Sequence, residues 1–288
     1  MNFTAVNGLN TSYYSAGKGQ HDMLLLHGWA SSGRMWLRSM WALRHEYRVW
    51  ALDLPGFGDS EAPATPWTSI TQYTDHVAAF CESMGIRPYA VIGHSMGARI
   101  ALDLARLCPH LAERIVAVSP TITGRLGLNL DIFLLGPVGR ALKRISHRIW
   151  PVAAAGSMTY YWAPRYLGSE AVQRTTDDLR RSNSGAAIES LRALVHEDYT
   201  SYLSDISQPT LLICGKRDIT IPPEDSRLAA NYLPDSRLLM LDQIHHQPTD
   251  ECPDIYLDAV RDFLDGKPVG EVISTHVDTR ATPSEAFS

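Results

Sequence analysis

Compact aliphatic runs punctuate this chain. Met23–Leu26, Arg48–Leu52, Tyr89–Ile92, Ile115–Val118, Thr210–Cys214 and Arg237–Leu241 are each four or five residues long and rich in branched side chains. Runs this short and this apolar predict strands covered on both faces, as in a parallel sheet. Between them the apolar positions change to a helical spacing. From Ser69 to Met84, Ile70, Tyr73, Val77, Phe80 and Met84 share one face. That stretch opens on Ser69-x-x-Gln72, a capping box, and stops at Gly85. Further helices are predicted over Ala98–Leu107, from Pro222-Pro223 to about Leu233, and from Pro253 to Gly266. Asn7-Gly8, between two short strand-like segments, predicts a tight hairpin turn.

Alternating strands and helices imply an α/β fold: a mostly parallel central sheet flanked by helices. The alternation stops between about Thr121 and Ser207, where the chain looks helical, aromatic and arginine-rich. We therefore expect a core over 1–120 and 208–266, interrupted by an inserted helical cap over 121–207. The stretch 267–288 has no sustained periodicity and is expected to be a disordered tail.

Composition narrows the classes. At 288 residues, 45% hydrophobic and 20% charged, the chain is that of an ordinary globular protein. A net charge of −5 argues against a nucleic-acid partner. Cys81, Cys108, Cys214 and Cys252 are widely spaced and read as buried thiols of a reducing compartment. The N-terminus lacks the basic start and apolar stretch of a signal peptide, and no run approaches the roughly 18 apolar residues of a membrane span. The expectation is a soluble, cytoplasmic protein.

Chemistry enters at Gly93-His94-Ser95-Met96-Gly97, directly after one strand and directly before a helix. A sharp strand-to-helix turn there would lift the Ser95 hydroxyl clear of the backbone as a nucleophile. The helix start would aim N–H groups at a developing oxyanion. A hydroxyl needs a base, and the candidates lie at strand ends, where reacting groups gather in open α/β sheets. His245 and His246 follow the last strand; His27 and His94 sit inside motifs and read as structural. Asp218, in the loop after Thr210–Cys214, would orient the imidazole, with Asp225 as a fallback. The backbone N–H groups of Trp29, in His27-Gly28-Trp29, and of Met96 would form the oxyanion hole. Asp53-Leu-Pro-Gly-Phe-Gly-Asp-Ser60 reads as a structural loop.

Taken in order, Leu26-His27-Gly28, the Asp53–Ser60 loop, Gly93-His-Ser-Met-Gly97, Gly215-x-x-Asp218 and His246-x-Pro248-x-x-Glu251-x-Pro253 resemble the α/β-hydrolase superfamily of cap-bearing serine esterases. The resemblance selects His246 as the base and leaves His245 where glycine is usual. Arg99 stands where a small residue is common. It implies hydrolysis of a carboxylic ester or lactone of a hydrophobic small molecule through an acyl-enzyme, with no metal and no organic cofactor. Carbon–carbon hydrolases of dienoic diketones and small-molecule receptors with residual activity resemble the chain at the same residues and stand as alternatives. In the cap, Arg125, Arg140, Lys143, Arg144 and Arg148 interleave with Ile132, Phe133, Leu134 and Leu135. We expect a solvated basic face there in preference to a membrane-resting one. Phe133, Trp150, Tyr160, Tyr161 and Trp162 suggest a pocket for apolar groups.

Overall fold

The computed structural model describes residues 1–127 and 170–273. Each predicted run is a strand, extended by one to three residues. In chain order they are β1 Asn2–Val6, β2 Leu9–Ala16, β3 His21–Leu26, β4 Tyr47–Leu52, β5 Pro88–His94, β6 Arg114–Val118, β7 Thr210–Gly215, β8 Ser236–Leu241 and β9 Glu271–Ile273. They form one sheet in the order β1-β2-β4-β3-β5-β6-β7-β8-β9. The six strands from β4 to β8 are parallel, and the antiparallel pairs lie toward the edges. At the first hairpin Asn7 and Gly8 both adopt positive φ, 50° and 80°, as a two-residue turn requires.

The helices are α1 Leu37–Leu43, α2 Ile70–Met84, α3 Met96–Leu107, α4 Glu170–Arg181, α5 Ser184–His196, α6 Pro223–Tyr232 and α7 Pro253–Leu264. The Ser69–Gln72 capping box forms, and Gly85 closes α2 in the left-handed conformation. Burial on both faces explains why the strand runs are mostly apolar. Leu24 and Leu26 pack under α2 and α3 on one face, while Met23 and Leu25 meet α1 and α7 on the other. A fully buried Leu contributes about 2 kcal/mol, so both faces stabilise the strands that carry the loops described below.

The chain leaves the sheet after β6 and returns at β7, with α4 and α5 between. Tyr199 N–H donates to the Ile122 carbonyl at 2.8 Å, tying the outgoing and returning chain together. Arg99, on α3, is buried and ion-paired with Glu197 at 2.8 Å just past α5, with its guanidinium 3.5 Å from the Tyr199 ring centroid. That contact accounts for a large cation where a small residue is usual. Within the stretch 267–288 expected to be a disordered tail, Glu271–Ile273 instead pairs antiparallel with β8. Three residues are too few to signal a strand by periodicity. The residues beyond 273, and the apolar and basic positions from Ile132 to Trp162, lie outside the described residues.

None of the four cysteines forms a disulfide. No helix among the described residues is long and apolar enough to cross a membrane.

Candidate active site

Ser95 links β5 to α3 with φ 53° and ψ −114°. A non-glycine residue there stores about 1–3 kcal/mol of strain, which persists only if its surroundings hold it. They do. Ser95 N–H donates to the Val118 carbonyl of β6 at 2.8 Å, and Arg99 N–H to the Ser95 carbonyl at 3.1 Å. The flanking glycines are steric necessities: a Cβ on Gly93 would sit 2.2 Å from the Gly97 carbonyl oxygen, and one on Gly97 2.2 Å from that of Leu26. Met96 begins α3, so its N–H lies among the helix-start donors that no intrahelical carbonyl can reach.

Strain gathers at this edge of the sheet. Among the described residues, Asn7, Ala30, Ser95, Ser119 and Gln243 are the non-glycines with positive φ. All five lie in loops that follow the C-terminal end of a strand.

His246 and Asp218 meet in the loops after β8 and β7. His246 Nδ1 is 2.7 Å from Asp218 Oδ2, both side chains being about 1% exposed. The second carboxylate oxygen accepts the backbone N–H groups of Thr220 (2.8 Å) and Ile221 (2.9 Å), which fixes the carboxylate plane. Ser95 and His246 line one cleft with Gly28, Trp29, Ala30, Ser31, Thr175, Leu179 and Gln247. The structure thus pairs His246 with Asp218 and sets His246 and Ser95 on one cleft.

The rival candidates go elsewhere. His245 turns to Glu251, whose carboxylate also accepts the N–H groups of His245 and Gln247. Glu251 therefore shapes the histidine loop, a role that its place in the His-x-Pro-x-x-Glu motif signals. Asp225 accepts the N–H groups of Ile122 and Thr123 and the Thr123 hydroxyl, securing the exit from β6.

His27 and His94 are structural in a specific sense. His94 Nε2 donates to the His246 carbonyl at 2.8 Å, anchoring the backbone of the candidate base. Burial, with the neighbouring His246 ring, pushes the His94 pKa down to about 3, so the ring stays neutral. His27 accepts the Leu54 N–H on Nε2 at 2.9 Å, which leaves Nδ1 to donate to the Gly28 carbonyl at 2.8 Å. In a trans peptide the Trp29 N–H points opposite to that carbonyl. His27 thereby orients the donor the sequence proposed for the oxyanion. Asp53 holds the same loop farther along, accepting Gly33 N–H at 2.6 Å.

Residues 23–248 match the family described as alpha/beta hydrolase fold. The chain belongs to the α/β-hydrolase fold family. Among its relatives is the pimeloyl-acyl-carrier-protein methyl ester esterase of Aeromonas hydrophila. That enzyme is 25% identical over 254 residues, which cover 84% of this chain and 95% of that one. An enol-lactonase from Burkholderia xenovorans superposes with a TM-score of 0.81 at 22% identity, over 92% of this chain and all of that one. A thermophilic esterase from Thermogutta terrifontis gives 0.77 at 21% identity, over 96% and 100%. At those identities the two structures establish likeness of fold.

Proposed function

We propose that this chain hydrolyses a carboxylic ester or lactone of a hydrophobic small molecule through an acyl-enzyme. One observation carries the reading above the rest. His246, paired with Asp218 at 2.7 Å, shares a single cleft with a strained serine. Esterases and a lactonase among its relatives and fold neighbours support the same class of substrate.

Asp218 accepts the Nδ1–H of His246 and so leaves Nε2 basic. His246 Nε2 takes the proton of Ser95 as its Oγ attacks the carbonyl carbon. The oxyanion that forms is met by the N–H groups of Trp29 and Met96, each such donor stabilising the transition state by about 3–4 kcal/mol. His246 then passes the proton to the departing alkoxide, which leaves as the alcohol, or as the freed hydroxyl of an opened lactone. A water deprotonated by the same imidazole hydrolyses the acyl-enzyme and regenerates Ser95. Trp29, Ala30 and Leu179 give the cleft an apolar wall suited to a hydrophobic group. Residues 121–207 act in this reading as a cap, with α4 set against the cleft.

Turnover of nitrophenyl acetate and butyrate tests the proposal. The wild-type chain is expected to hydrolyse both with a burst of nitrophenolate, and a fluorophosphonate is expected to label Ser95. Full turnover by Ser95→Ala would refute it. A parallel screen of lactones and dienoic diketones assigns the bond cleaved.

A further inference from the structure

Helix α4 touches both halves of the candidate machinery. Asp178 is fully buried, and its carboxylate accepts the Ser32 hydroxyl at 2.8 Å and Arg34 Nη1 at 3.1 Å. Both partners lie just past Trp29 in the loop after β3. One turn earlier on α4, Arg174 grips Asp250 at 2.8 Å, four residues beyond His246. Charges of alternating sign, Arg34, Asp178, Arg174 and Asp250, thus run across the cleft from one loop to the other. Thr175 and Leu179, on the same helix, line the cleft itself. The loop after β3 has a second tie to this region, from the Trp29 indole N–H to the Ala187 carbonyl at 2.7 Å.

We infer that Asp178 is a positioning residue for the oxyanion hole: through Ser32 it holds the loop that presents the Trp29 N–H to the reacting carbonyl. The inference rests on the Ser95–His246–Asp218 reading. The physical reason is leverage. Only Ala30 and Ser31 separate Trp29 from Ser32, and Ala30 holds a positive φ of 52°. A loop strained at that point relaxes unless both ends are fixed. His27 fixes the near end through the Gly28 carbonyl, and Asp178 fixes the far end. A displacement of about 1 Å at such a donor costs on the order of a hundredfold in rate.

The test compares Ser32→Ala, Asp178→Ala, their double variant and Asp178→Asn on nitrophenyl butyrate. Ser32→Ala and Asp178→Ala are each expected to lower kcat about 30-fold with KM within about twofold, the signature of an interaction made in the transition state. The double variant should lose less than the product of the two single losses, because both substitutions remove the shared Ser32–Asp178 bond. Asp178→Asn keeps an acceptor for Ser32 and should recover to within about fivefold of wild type. The acid limb of the kcat/KM profile should keep its midpoint in all four, since His246 and Asp218 are untouched. If Asp178→Ala does not fold, Ser32→Ala, which leaves α4 intact, still decides the matter. Wild-type kcat in Ser32→Ala, losses that multiply in the double variant, or a rise in KM without a fall in kcat would each overturn the inference. Failure of the underlying reading looks different: Ser95→Ala would then retain turnover. Loss of turnover in Ser95→Ala beside an unaffected Ser32→Ala sinks the positioning role alone.

Discussion

Replacing Asp218 by asparagine changes one atom, and the structure fixes which way the new amide must face. Oδ1 accepts two backbone N–H groups, from Thr220 at 2.8 Å and Ile221 at 2.9 Å. An NH2 turned toward two N–H donors would leave both unmet in a buried site, at about 1–3 kcal/mol each. The amide oxygen therefore stays there, and the NH2 faces His246 Nδ1, where the carboxylate now lies at 2.7 Å. Nδ1 must then accept, the imidazole proton moves to Nε2, and the base points a hydrogen at Ser95 instead of a lone pair. The same tautomer inversion in a serine triad lowers kcat about ten-thousandfold, equivalent to about 5 kcal/mol of barrier. Stopped-flow measurement of the nitrophenolate burst reads the acylation rate directly. A thermal melt shows the fold intact, because the variant keeps its size and its two backbone contacts. An Asp218→Asn chain acylating within tenfold of wild type would refute the assignment of the acid and the tautomer argument together.

Three other outcomes follow from the same coordinates. Gly97→Ala would put a Cβ 2.2 Å from the Leu26 carbonyl oxygen, so α3 must retreat by about 0.8 Å to reach even a tight contact. We expect a loss of about 1–3 kcal/mol in urea unfolding and a fall in kcat of at least about tenfold; unchanged kcat in a folded variant would contradict the account of the elbow. Asp225→Ala should lower the unfolding free energy by about 1–3 kcal/mol, because Ile122 and Thr123 lose their acceptor. It should leave the acid limb of the pH–rate profile where it was, and a shifted limb would bring Asp225 back as the catalytic acid. Burial holds His76 neutral down to about pH 4, against an ordinary pKa of 6.5. Below pH 6.5 the unfolded chain therefore binds more protons at this site, and the stability it contributes is present above 6.5 and lost as pH falls toward 4. His94 acts in the same direction down to about 3. Buried Asp178 and Asp225, whose pKa values burial raises, act in the opposite sense at the acid end. Between pH 6 and 4.5, the slope of unfolding free energy in His76→Gln should be shallower than wild type by about 1.4 kcal/mol per pH unit. Equal slopes would count against the buried neutral ring.

The strands were legible because a parallel sheet covered on both faces leaves few polar positions in its runs, as Met23–Leu26 illustrates. That His246 would meet Asp218, and share a cleft with Ser95, was legible from their places at strand ends. Much of what steadies them was not. Asp178 meets Ser32 across 146 positions, and nothing in either segment's spacing announces the bond. Arg99 is a cation with no evident partner in its own helix until Glu197 and Tyr199 are seen against it. The His27 and His94 rings were recognisable as structural. What they hold, the Gly28 and His246 carbonyls, depends on backbone directions that residue types do not encode.

The hydrogen bond between Tyr199 and Ile122 has an evolutionary corollary. With its two feet stitched together, the excursion between them is a socket into which other polypeptide can be fitted. Doubling the length of what fills it costs about 0.6 kcal/mol of closure entropy, so selection can exchange that segment while the sheet beneath stays as it is. The exchange is not unconstrained, because the same excursion carries Asp178. Any replacement that preserves the present grip on Ser32 must arrive with an acceptor of its own.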